Sequence, residues 1–152
     1  MNPGRLARVA LLSSLAVFLA VGAVASLRAY QPVYGVTIEL GQPVLQPGSP
    51  FRVDTVTSGR GPVSIRVEIV QGRHAETVAI DHIASRRWAF WDFRLVRRST
   101  QAAASPALLG RFEPGPVVVR ATVVGARAWL RQPSAVVEEV TTRLPPGTAE
   151  AK

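Results

Sequence analysis

Two histidines, His74 and His82, and three aspartates, Asp54, Asp81 and Asp92, are the residue types from which this chain could assemble a metal site or a hydrolase. The histidines stand eight residues apart, which on one strand is about 26 Å. A shared metal therefore needs a turn between them, and no acidic or histidine cluster completes a ligand set. Either histidine with an aspartate supplies two members of a Ser-His-Asp triad, but no G-x-S-x-G elbow marks a nucleophile. Glu138 and Glu139 are adjacent carboxylates, yet neighbours on a strand point to opposite faces and cannot jointly flank one scissile bond. "GRG" at 59–61 has the glycines of a phosphate loop without its lysine or its following helix, and reads as a hairpin turn. The chain has no cysteine, which removes disulfides, thiolate metal sites and cysteine nucleophiles. The expectation is a non-enzymatic protein with no cofactor.

Binding chemistry is better represented. In "GARAWLRQP", Trp129 sits between Arg127 and Arg131 in a segment that glycine and proline mark as a loop. Tryptophan and arginine are the residues that dominate interface hot spots, so this segment is a candidate partner site, the alternative being a ring that folds back to cap the core. Arg66 and Arg120 form a second candidate, a stripe for anions, if their strands lie side by side; the simpler reading is a solvated ladder of weak ion pairs with Glu68 and Glu138. The stretch "RRWAFWDFRLVRR" at 86–98 breaks strict alternation. A one-residue bulge near Phe90 and Trp91 would turn Trp88, Phe90, Trp91, Phe93 and Leu95 to one side as a core strand, with Arg87 and Arg94 outside. Unbulged, it would display Trp88 and Phe90 for stacking sugars or bases.

The elements that must position these residues divide into an address and a sheet-rich domain. Arg5 and Arg8 precede an uncharged apolar run at 9–27 that is closed by Arg28. It is long enough to span a bilayer, and "AVA" at 23–25 also offers a signal-cleavage site before Ser26. Both readings leave Arg5 and Arg8 cytoplasmic and carry the remainder outside. With 17 arginines, one lysine and 10 acids the formal charge is +8. Most of that excess belongs to the exported part, which suits a protein partner or an anionic glycan or lipid surface; export argues against nucleic acid.

After residue 34 come short period-two runs broken by proline and glycine. "VTIEL", "FRVDTVT", "VSIRVEIV", "ETVAIDHI", the aromatic stretch, "PVVVRATVVG" and "VVEEVTTRL" make seven strands. Val63, Ile65, Val67 and Ile69 point inward from the third, Val78 and Ile80 from the fourth. "SPALLG" reads as a single capped helical turn, and a bulge is expected at Glu138 and Glu139. The boundaries read as 1–29 signal or anchor, 30–145 domain and 146–152 disordered tail.

Strand count and spacing over 34–144 resemble an immunoglobulin-like or fibronectin type III-like domain of bacterial envelope proteins, without the cysteine pair or a tyrosine placed for a tyrosine corner. A small barrel is the alternative. The resemblance implies an all-β, seven-stranded antiparallel sandwich behind the N-terminal hydrophobic helix. It also implies an extracytoplasmic binding module, in the periplasm or at the cell surface, the alternative being a membrane-anchored accessory subunit of an envelope complex.

Overall fold

The computed structural model describes residues 3–28, 33–58, 61–84, 94–126 and 132–146. The chain opens with α1 (Pro3–Arg28), followed by β1 (Val33–Leu40), β2 (Pro50–Ser58), β3 (Pro62–Gln71), β4 (His74–His82), β5 (Leu95–Ala103), α2 (Pro106–Leu109), β6 (Gly115–Gly125) and β7 (Ala135–Leu144). The strands form two separate antiparallel sheets, ordered β1-β2-β5 and β4-β3-β6-β7, rather than one closed barrel.

Alternation decides the interior. On β3, Ile65, Val67 and Ile69 are fully buried, and on β6 Val117, Val119, Ala121 and Val123 extend the same inner face of the sheet. Phe51 and Val53 reach into the same core from β2 in the other sheet, joined by Leu109 and Phe112 from α2 and its exit. Two buried threonines continue the inward row of β2. Their hydroxyls are satisfied within the sheet, Thr55 donating to the Arg98 carbonyl at 3.3 Å and Thr57 to the Val96 carbonyl at 3.5 Å. A buried hydroxyl without such a partner would destabilise the strand, which is why each points across to a neighbouring carbonyl.

The helical turn forms as its residue order dictates. The Ser105 hydroxyl accepts from the Leu108 N–H, and Pro106 takes the first position, where no N–H is needed. After β1 the chain crosses to the second sheet: Val44 bridges Arg143 in parallel, the Leu45 N–H donates to the Arg143 carbonyl, and Thr142 donates to the Pro43 carbonyl. This covers the β7 edge at Thr142 and Arg143, leaving fewer unpaired backbone groups there.

Four sequence expectations change. The fifth strand among the described residues is Leu95–Ala103, running five residues past the aromatic stretch, and Leu95 is 65% exposed on the outer face instead of buried. Its register explains this, because β5 presents Val96, Thr100 and Ala102 opposite the inward residues of β2. Trp88, Phe90, Trp91 and Phe93, with the bulge proposed among them, lie outside the described residues. Ile80 also turns outward, 49% exposed, because a bulge at Val78 shifts the register of β4. β7, by contrast, carries no bulge and pairs with β6 in unbroken register from Ala135 to Leu144. Val137 is therefore exposed and Glu138 takes an inward register position opposite Ala121, yet stays in solvent because β7 ends its sheet. An inward charge on an edge strand deters edge-to-edge pairing, a reason for the break in alternation that needs no bulge.

Candidate functional site

The outer face of the four-stranded sheet brings together two of the residues selected from sequence. Register places Ile80, Arg66, Thr122 and Val137 in one row across β4, β3, β6 and β7, and Thr77, Glu68, Arg120 and Glu139 in the next. Arg66 and Arg120 thus share a face, each beside an acid. Arg120 donates through Nε to Glu139 at 2.6 Å, and Arg66 lies 3.7 Å from Glu68. Glu139 fills the place expected for Glu138, whose register position is on the other face. The face is an alternating ladder, with Arg66 more than half exposed at its margin.

Such a ladder adds little to stability. Because the side chains of Arg120 and Glu139 are 37% and 49% exposed, a double-mutant cycle on Arg120→Ala and Glu139→Ala is expected to give a coupling under about 1 kcal/mol. Arg120→Ala with Glu138→Ala should give none. Chemical denaturation of the four variants in each cycle checks both, and a coupling well above that value would mark the pair as desolvated and structurally essential.

A second constellation went unread in the sequence. On the outer face of the three-stranded sheet, Arg52, Asp54, Val56, Arg97 and Ser99 line an open groove. Arg52 donates through Nε to Asp54 at 2.9 Å. That hydrogen bond holds the Asp54 carboxyl below the usual carboxylate range, helped by Ser99, and raises the Arg52 guanidinium in turn. A lowered carboxylate contributes its stabilisation above its ordinary pKa and loses it as acid carries the pH down through the lowered value. Arg52 and Asp54 alternate along "FRVDTVT" with the buried Phe51, Val53 and Thr55, which puts them on one outer face. Ser99 joins them only once the fifth strand runs on to Ala103, and nothing in the local pattern signals that extension.

The catalytic candidates remain apart. His74 packs against the Phe112 ring at 4.9 Å between centroids and lies 3.6 Å from Glu76, whereas His82 closes the other end of the same strand opposite Ser64. Asp54 sits on β2, in the other sheet from both, and Asp81 accepts from Thr100 at 3.3 Å. Among the described residues no three of His, Cys, Asp and Glu gather as they would around a metal ion. Trp129, Arg127, Arg131 and Asp92 lie outside the described residues. No protein-family model and no curated protein matches this chain.

Proposed function

We propose that this chain is a non-enzymatic binding module of the bacterial cell envelope, carried to the far side of the membrane by α1. The observation that carries this reading is α1 itself. Its segment Arg8–Ala25 has a mean hydropathy of 2.1, and none of its residues is buried in the protein. An apolar helix without a protein partner finds its stable environment in a bilayer, and Arg5 and Arg8 orient it. The strand order also supports an immunoglobulin-like or fibronectin type III-like sandwich, with β1-β2-β5 in the places of strands A, B and E and β4-β3-β6-β7 in those of C′, C, F and G. Fold alone assigns no activity, so the binding role rests on the basic surface and on the tryptophan-arginine segment around Trp129.

The second reading, a membrane-anchored accessory subunit, is favoured by the length of α1. Its helix continues through 23–25, the candidate cleavage site, to Arg28. At 1.5 Å per residue its 26 residues extend about 39 Å, more than the roughly 30 Å hydrocarbon core. A reporter fused after Lys152 that is active only outside the cytoplasm is the expected result, and cytoplasmic activity would overturn both readings. The mature N-terminus separates them: a chain beginning at Ser26 is a released module, an intact one an anchored subunit.

A further inference from the structure

The two sheets end in four strands, β1 and β5 in one, β4 and β7 in the other. An end strand leaves a row of N–H and C=O groups without a ladder partner, and irregularity, cover or inward charge blunts such a row against a further strand. β1 has a register shift between Val33 and Gly35, and β4 has one at Val78. β7 is covered at Thr142 and Arg143 by the crossing at 43–45 and holds Glu138 at an inward register position. β5 is neither irregular nor covered. It pairs with β2 in unbroken register along its whole length, contains no proline or glycine, and among the described residues no strand pairs with its far edge. Alternate residues of β5 therefore direct their N–H and C=O groups away from the sheet.

Charge separates β5 from the other three as well. β1 carries Glu39, β4 carries Glu76 and Asp81, and β7 carries Glu138 and Glu139, whereas β5 carries Arg97 and Arg98 and no acid. As neighbours on a strand these two arginines take opposite faces, Arg97 beside Val56 on the outer face and Arg98 beside Thr55 in the inward row. Both are exposed, and neither guanidinium has an ion pair or hydrogen bond with a described residue. The acids on either side are engaged elsewhere. Asp54 accepts from Arg52 at 2.9 Å, and Asp81 accepts from Thr100, the next inward residue after Arg98. Arg97 and Arg98 both line the open groove at Arg52 and Asp54, which encloses about 300 Å³. The inward charge of Arg98 deters a neutral or basic strand, as Glu138 does on β7, but a carboxylate opposite it removes that penalty.

We propose that the free edge of β5 takes an acidic strand of a partner protein, one that presents two adjacent carboxylates in an extended segment. Adjacent residues of the incoming strand point to opposite faces, so one carboxylate meets Arg97 and the other Arg98. Backbone pairing supplies the affinity, and the two charges supply the choice of partner. On each of the other three edges the same carboxylates meet an acid, which is the repulsive half of that choice. The inference rests on the reading of this chain as a binding module and names the partner's chemistry; it holds whether α1 is cut or retained.

The purified full chain in neutral detergent is titrated with a labelled peptide as long as β5, valine and threonine alternating around two adjacent central glutamates. At low salt this peptide is expected to bind at least about fivefold more tightly than its counterpart with two glutamines. Raising salt from about 0.1 M to about 1 M, which shortens the screening length from about 10 Å to about 3 Å, should remove most of that preference. Arg97→Gln with Arg98→Gln should abolish it and leave the melting temperature unchanged, because both side chains are exposed. Bound peptide should also slow amide hydrogen exchange in β5 and in none of β1, β4 and β7. Absence of binding, equal affinity for the two peptides, or binding without slowed exchange in β5 would each overturn the proposal, and all three are read on the parent chain whether or not the variant folds. Exchange in β5 that slows with rising protein concentration, without peptide, would give the edge to a second copy of this chain and overturn it too. The export reading fails separately, through the reporter fused after Lys152.

Discussion

Phe51→Ala is expected to cost the sandwich about 3–5 kcal/mol, the range for emptying a buried phenylalanine site. Phe51 is 1% exposed, on the central strand of the smaller sheet, between Leu40 of β1 and Ala102 of β5. Neither neighbour has bulk to spare: Leu40 already packs at the core margin, and Ala102 ends at its methyl group. Collapse into the cavity is therefore incomplete, and the loss comes out of a net stability of about 5–15 kcal/mol. A lowered urea midpoint with an unchanged slope identifies the loss as stability rather than as a new denatured state. Leu95→Ala is the control, and on the outer face it should stay within about 0.5 kcal/mol. A Phe51→Ala variant as stable as the parent would mean that the two sheets do not meet across this side chain.

The contrast between Phe51 and Leu95 shows what the sequence reveals and where it stops. Strict alternation identified Ile65, Val67 and Ile69 on β3, because a central strand has one face in the core. The edge strands β4, β5 and β7 were misread, each for its own physical reason. In β4 the bulge at Val78 turns Ile80 outward, and no turn residue or glycine announces it. In β5 the aromatic stretch outweighed "RSTQAA", although a strand paired only on one side needs little apolar surface. In β7 the Val137–Glu138 break is an inward charge at a sheet edge, and a bulge was the wrong remedy for it. The same limit applied to the groove at Arg52 and Asp54, whose far wall depends on how far β5 extends. Arg66 and Arg120 were placed correctly because both lie on central strands.

The second large effect belongs to the helix and should leave the sandwich untouched. Phe18, near the middle of α1, is 78% exposed. Replacing it with arginine exchanges a residue that favours the bilayer centre for one that opposes it, a change of about 3–4 kcal/mol on the insertion scale. At about 1.4 kcal/mol per factor of ten, that lowers the insertion equilibrium by roughly two to three orders of magnitude. Phe18→Arg is therefore expected to move the chain from the alkali-resistant membrane fraction to the soluble or degraded fraction, with Phe18→Leu behaving as the parent. Because the apolar window of α1 has no buried residue, chain recovered in detergent should unfold at the parent's temperature. The two readouts together distinguish the physical roles open to an apolar helix. Lost retention with unchanged melting identifies a membrane segment, whereas a large fall in melting temperature with retention intact would identify a core helix packed on the sandwich and remove the basis for placing this protein in an envelope.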